Sequence, residues 1–434
     1  MRASAPPSFN RTLTLRRLYT LLLWLALPVA TAVVGWRGLR DRQYWRGWTQ
    51  RFGFGTTTAD PVIWFHAVSV GEVQAAVGLV SALHAALPAV PVLFTSATPT
   101  GRERARQACG EIATVRYAPY DLPGMLRRLL RTARPRLLIV LETELWPNLL
   151  HQCARASIPV LLVNARISPR TLQAYSRWRG LLTCLALDNL RIAAQSAADA
   201  TRFAALGVPE PAIRVTGNLK FDAQIEPAVV QRGRQWRERL AAGRPVWVAG
   251  STHEGEERAV LDAHRGALQS LGGALLILAP RHPQRFDDVE RLLQAMPLRH
   301  QRRSRVDEAS EIDVLLLDTI GDLTDFYAAA DVAFVGGSLV PIGGHNLLEP
   351  AALGLPVVSG PHNFAVPEVA AALQVAGGLA VVPDAAALAR EISRLLGDGP
   401  ERQRRGAAAR AVVEANRGAL AAAERWALDL LAAR

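Results

Sequence analysis

Residues able to do chemistry gather in a few short polar clusters of this chain. The densest lies between Val332 and Asn363, VAFVGGSLVPIGGHNLLEPAALGLPVVSGPHN. The pattern predicts a buried strand over 332–335, a glycine-rich turn, a short helix from about Asn346 and a second strand over 356–359. Gly336, Gly337, Gly343 and Gly344 would let backbone N–H groups approach a ligand closely. A helix start then offers unpaired N–H groups and partial positive charge, which suit a phosphate. Asn346 and Glu349 are three apart and share one face of that first turn. A carboxylate there can accept hydrogen bonds from a pair of ribose hydroxyls. Together these parts describe a nucleotide seat.

Other candidates stand just after predicted strands. Glu72, in HAVSVGE, sits at a helix start, where the dipole keeps a carboxylate ionised; it is a candidate general base or a plain capping residue. Glu142 and Glu144, in ETELWPN, are expected to leave a strand pointing to opposite sides. Ser251, Thr252 and His253 follow another strand. Arg281, in PRHP, is a natural phosphate ligand, and His345 is expected to cap a helix or stand behind the ligand. Lys220, in GNLKFD, is the only lysine in the chain. One lysine among so many arginines suggests a site needing a compact point charge where a planar guanidinium will not fit. No His or Asp completes a metal set around Glu142 and Glu144, and His253-Glu254 lacks the second histidine of a zinc-protease motif. No metal or cofactor is expected.

The elements that must position these residues alternate. Aliphatic strands are predicted at 62–66, 92–95, 137–141, 160–163, 191–194 and 213–216, then at 246–249, 275–279, 314–317, 332–335 and 357–359. Helical stretches lie between them, the pattern of a parallel α/β sheet. A linker is expected over 224–245, and a single Ala- and Arg-rich helix over 402–434. Two parallel-sheet domains facing each other across a cleft follow: residues 37–225 and 226–434, after a membrane segment at 1–36. In such sheets ligands bind beyond the carboxyl ends of the strands.

The chain has 434 residues, enough for two cores, and half of them are hydrophobic. Its net charge of +12 favours an acidic partner: nucleic acid, anionic lipid or a phosphorylated substrate. No zinc finger or RNA-binding aromatic signature is present, so nucleic acid is not the expected partner. Cys109, Cys153 and Cys184 are few and scattered, as in a reducing compartment. Leu18 to Trp36 carries no charge and is about long enough to span a bilayer. Arg37, Arg40, Arg42, Arg46 and Arg51 follow it, which places the body on the cytoplasmic face beside anionic headgroups. A cleaved signal peptide ending near Ala30-Thr31-Ala32 is the competing reading.

Seven stretches, in order, carry a resemblance to a family: HAVSVGE (66–72), ETELWPN (142–148), NARIS (164–168), GNLKFD (217–222), GSTHEGEE (250–257), PRHPQRF (280–286) and GGHNLLEP (343–350). The chain resembles the 3-deoxy-D-manno-octulosonic acid (Kdo) transferases of lipopolysaccharide biosynthesis. The resemblance implies the GT-B glycosyltransferase fold, a CMP-Kdo donor, a lipid A precursor as acceptor and an inner-membrane location. By the same resemblance Glu72 is the catalytic base, and Glu142 and Lys220 stabilise the transition state. Pro280, Arg281, Ile320, Gly321, Asp322, Asn346, Leu347, Leu348 and Glu349 match the CMP-binding segments. Gly321-Asp322-Leu323 departs from the family's Gly-Glu-Leu. A transferase or epimerase acting on another nucleotide sugar, or a non-catalytic nucleotide-binding membrane protein, are the alternatives.

Overall fold

The computed structural model describes residues 9–55, 60–177, 189–222, 225–241, 243–305 and 311–433, with side chains from Leu15 onward except at 176 and 177. Cys184 lies outside the described residues. The chain divides into two compact units, residues 1–222 with 417–434, and residues 223–416.

The first unit holds a seven-stranded parallel sheet ordered β3-β2-β1-β4-β5-β6-β7. Its strands are β1 (Ile63–Ala67), β2 (Val92–Ser96), β3 (Ala113–Tyr117), β4 (Leu137–Leu141), β5 (Val160–Ala165), β6 (Leu190–Ala194) and β7 (Ile213–Val215). Strands β1, β2, β4 and β5 are buried throughout, which is why they read as unbroken aliphatic runs rather than alternating ones. Strand β3, ATVRY, escapes a sequence reading because Thr114 and Arg116 interrupt its apolar run at the edge of the sheet. Order reverses between β1 and β4, and a crevice at their carboxyl ends is the position where such sheets bind ligands.

The second unit repeats the plan with order β10-β11-β9-β8-β12-β13-β14. These are β8 (Val246–Thr252), β9 (Leu275–Pro280), β10 (His300–Arg302), β11 (Val314–Leu316), β12 (Val332–Val335), β13 (Val357–Ser359) and β14 (Leu379–Val381). The polar strand β10 carries no apolar run to pick, and β14, though apolar, is only three residues long and stands outside the predicted strands. Here the switch falls between β8 and β12.

Two expectations are corrected. The segment taken as a linker contains a helix, Pro227–Ala241, that belongs to the second unit. Arg232 and Arg237 tie it to Asp325 and Asp331. The single terminal helix is two helices, Gly399–Ala415 and Ala419–Ala432, broken at Gly418, whose φ is 109°. The last one leaves the second unit and rejoins the first. Ala423, Trp426, Ala427 and Leu431 enter the first unit's core beside Val80 and Leu137. Burying side chains of the size of Leu431 is worth about 1.5–3 kcal/mol each, enough to fix the return. Asp222 clamps the crossing, accepting from the N–H groups of Gly418 and Leu420.

Among helices, α1 (Phe9–Arg40) precedes α2 (Val70–Ala86), α3 (Pro99–Cys109), α4 (Pro123–Ala133) and α5 (Pro147–Arg155). Residues Leu15–Arg40 of α1 form one helix long and apolar enough to cross a membrane. Leu21, Leu22, Trp24, Leu25 and Val29 are exposed. The opposite face touches the body through polar contacts. Tyr19 donates to Asp121 at 2.9 Å, and Thr20 to the Asn148 side chain at 3.1 Å. Burial raises the Asp121 carboxyl to about 6, against hydrogen bonds from Asn148, Tyr19 and Leu149.

Candidate active site

Each unit presents its own rim of polar side chains at its switch point. In the first, Ser69 ends the loop after β1 and caps α2. Its hydroxyl accepts from the Glu72 N–H, and the Glu72 carboxylate accepts from the Val68 N–H at 2.8 Å and the Ser69 hydroxyl at 2.6 Å. Glu72 is therefore a capping glutamate by geometry. It is also buried, and burial raises its pKa; the Ser69 and Val68 bonds oppose this, while the charges of Glu144 and Glu142 add to the rise. A carboxyl held above its ordinary range by burial and like charge is suited to act as a base nearer neutral pH.

Glu142 and Glu144 lie beyond the end of β4, so they do not alternate on a strand. Strand β4 stops at Leu141, and Glu142 adopts φ 55°, a left-handed conformation that breaks the alternation. One oxygen of Glu142 accepts from Arg166 at 2.9 Å, and the other lies 3.7 Å from the Lys220 ammonium. Glu144 accepts from the Trp146 indole at 2.7 Å, and burial raises its pKa. Asn164 is held at φ 56° at the end of β5, and its side-chain oxygen accepts from the Leu219 N–H at 3.0 Å. Asn164 thus fixes the turn that carries Lys220.

In the second unit the glycine-rich loop after β12 is filled from within. The buried Glu256 carboxylate accepts from the N–H groups of Gly337, Ser338, Leu339 and His253 at 2.7–3.0 Å. Gly336 donates to Gly250, and Gly343 and Gly344 both donate to Gly337. All four glycine N–H groups expected to face a ligand are spent on the protein. The helix expected from Asn346 begins at Leu348 and ends at Ala352. Asn346 precedes it, accepting from the Leu348 N–H and donating to Glu349, both at 3.0 Å. Burial raises the Glu349 pKa, against hydrogen bonds from Asn346 and Thr324. Leu347 and Leu348 are buried, so their side chains are not open to a ligand, and the Leu348 N–H is taken by Asn346.

Strand β9 ends at Pro280, and the Arg281 side chain beyond it is exposed. Neighbouring Arg285 is instead held by Glu254, Glu257 and Asp288. After β11, Ile320 is exposed, Gly321 adopts φ 102°, and Asp322 accepts from the Thr319 hydroxyl at 2.8 Å. His345 caps no helix: its Nε2 meets the His253 Nε2 at 2.7 Å, with the rings parallel. Burial pushes the His345 pKa down to about 4, and His253, Arg281 and His282 nearby push the same way.

Residues 46–223 match the family described as 3-Deoxy-D-manno-octulosonic-acid transferase (kdotransferase), and residues 308–412 match Glycosyl transferases group 1. A 3-deoxy-D-manno-octulosonic acid transferase of Haemophilus influenzae is 39% identical over 410 residues, covering 93% of this chain and 96% of that one. One of Bordetella pertussis is 39% identical over 432 residues, covering 95% and 99%. The chain belongs to the 3-deoxy-D-manno-octulosonic acid transferase family. Among solved structures, a UDP-GlcNAc 2-epimerase of Neisseria meningitidis aligns over 86% of this chain and all of its own, with TM-score 0.56 and 13% identity. That likeness shows a shared fold of two Rossmann-like domains.

Asn164, Arg166 and Glu256 stand within the motifs of this transferase, but their types and spacing assign them no task. A left-handed asparagine and a buried glutamate bonded only to backbone leave no trace in spacing. The geometry around Lys220 supports a direct test. Its ammonium shares Glu142 with Arg166, so a second planar guanidinium would compete for the same carboxylate. Lys220→Arg should lower kcat by roughly ten-fold or more, with little change in KM for the acceptor. Steady-state kinetics on both proteins decides it, and full activity would make the lone lysine an accident of composition.

Proposed function

We propose that this transferase moves Kdo from CMP-Kdo to a lipid A precursor, lipid IVA, in lipopolysaccharide core biosynthesis, inverting the anomeric configuration and releasing CMP. The observation that carries the reading is the Lys220–Glu142–Arg166 ion-pair cluster beyond the carboxyl ends of the first sheet, with Glu72 on the helix that follows β1 of the same sheet. Glu72 takes the proton from an acceptor sugar hydroxyl. The oxygen then attacks the anomeric carbon of Kdo from the face opposite CMP. Lys220, held by Glu142, faces negative charge as the phosphate departs, in the manner of a preorganised electrostatic stabiliser.

The donor falls to the second unit. Pro280 and Arg281 after β9, Ile320, Gly321 and Asp322 after β11, and Asn346 to Glu349 hold CMP. Arg281 takes the phosphate, and Glu349 the ribose hydroxyls. Arg281 supplies positive charge for the donor phosphate, Lys220 and Arg166 do so on the first unit, and the reading calls on no metal or other cofactor. The apolar α1 and the arginines after it hold the protein at the cytoplasmic face of the inner membrane, against anionic lipids. Nucleic acid has no part in the reaction.

Incubation of the protein with CMP-Kdo and a tetraacyl lipid A precursor, followed by mass spectrometry of the lipid, tests the whole reading. The lipid gains the mass of one or more Kdo units, and CMP appears in equal amount. An unchanged lipid beside hydrolysed or intact donor would overturn it.

A further inference from the structure

Helix α1 is fastened to the first unit near both of its ends. Near its start, Tyr19 donates to Asp121 at 2.9 Å, and Thr20 and Arg16 donate to the Asn148 side chain at 3.1 and 3.4 Å. Asp121 and Asn148 are themselves buried. Near its end, the Trp45 indole doubles back and donates to the Gly35 carbonyl at 3.1 Å. Gly38 is buried against the same ring, and a Cβ there would run into it. The chain is then tied down at once. Tyr117 of β3 donates to the Gln43 carbonyl at 3.1 Å, and Arg102 of α3 to that of Arg46 at 2.8 Å. All of these partners belong to the first unit.

These fastenings decide how α1 meets a bilayer. Tyr19 and Gly35 are about 24 Å apart along a helix, whereas the hydrocarbon layer is about 30 Å thick. A crossing helix carries one of its ends to the far side, away from the body. Here both ends touch one folded body, so crossing would drag that body into hydrocarbon, where its polar surface is too costly to bury.

The faces of α1 sort accordingly. Leu18, Leu22, Leu25, Val29, Val33 and Trp36 are exposed and recur at helical spacing along one side. Leu23, Leu27 and Val34 are half-buried on the other side, in line with Thr20 and Gly38. Basic residues stand at both ends: Arg17 before the apolar run, and Arg37, Arg40, Arg42 and Arg46 after it, with Asp41 the only acid among residues 1–51. A spanning helix concentrates its arginines at the cytoplasmic end. A helix lying among anionic headgroups meets them at both ends.

We propose that α1 lies in the plane of the bilayer surface, with its Leu25 face in lipid and both of its ends on the cytoplasmic side. This rests on the membrane attachment proposed above and sets its geometry. It also sets the height of the catalytic rim. Asn148, which Thr20 meets, follows Glu142 and Glu144 in the ETELWPN segment. Those carboxylates are thereby held near headgroup level, where the sugar of a glycolipid acceptor stands.

Arg17→Cys and Leu39→Cys place a thiol at either end of α1, both at exposed positions. In inverted inner-membrane vesicles the outer face is cytoplasmic. A membrane-impermeant maleimide polymer, counted beyond the parent chain's own cysteines, should label both variants there at rates within about three-fold of each other. Labelling of Arg17→Cys that is slower by roughly ten-fold or more until detergent is added would show a crossing helix. That result overturns the proposal and leaves membrane attachment standing. A chain found only in the soluble fraction overturns the attachment itself, and the proposal with it. Should either variant fail to accumulate, spin labels on Leu18→Cys, Leu25→Cys and Val33→Cys in phosphatidylglycerol–phosphatidylcholine vesicles give a second readout. An in-plane helix puts all three at one depth, about 5–10 Å into the headgroup boundary. A crossing helix puts the Leu25 position deeper than that of Leu18 by about 10 Å, and such a gradient would overturn the proposal.

Discussion

Glu72→Gln lowers turnover by roughly 10²–10⁴-fold, the usual worth of a general base, while CMP affinity stays within two-fold of about wild type. The amide keeps the shape of the side chain and one acceptor oxygen, so the cap on α2 survives in part. It cannot accept a proton. The pH profile supplies a second readout. Burial, with Glu144 and Glu142 behind it, raises the Glu72 pKa. The base works only when ionised, so kcat/KM should rise with pH through a limb above the ordinary glutamate range. Glu144→Gln removes one like charge, lowers the Glu72 pKa and moves that limb to lower pH. A limb that stays in place, or an active Glu72→Gln enzyme, would send the search for the base to Glu142 and Glu144.

The capping position of Glu72 was legible because its contacts are local. HAVSVGE writes a strand, a serine cap and a glutamate three residues on, and the structure keeps that order. The strands were legible for a related reason: burial on both faces demands aliphatic runs. What failed depended on contacts distant in sequence or on single dihedral angles. Alternation put Glu142 and Glu144 on opposite sides, but the strand ends at Leu141 and a left-handed φ at Glu142 breaks the alternation. Composition joined residues 402–434 into one helix, but Gly418 breaks it and Trp426 finds its core in the other unit. Glycine spacing suggested open N–H groups, whereas a glutamate about eighty residues earlier in the chain takes that of Gly337, and the carbonyls of Gly250 and Gly337 take the other three.

That glutamate sets the last expected result. Glu256→Gln should destabilise the second unit by about 2–6 kcal/mol. One Glu256 oxygen serves Ser338 and Leu339, and the other serves Gly337 and His253. An amide replaces only one of these oxygens, leaving its NH₂ group against two N–H donors. Each buried donor left unmet costs about 1–3 kcal/mol. For a unit of this size the melting temperature should fall on the order of 5–20 °C. The loop that leads to Asn346 and Glu349 hangs from the same carboxylate, so CMP affinity should fall even below the melting range. Calorimetric melting and CMP titration at low temperature read the two effects separately. A variant that melts like wild type would mean that the loop N–H groups do not depend on Glu256 and are open to a phosphate after all. A variant that melts early yet binds CMP normally would detach the loop's order from the donor seat.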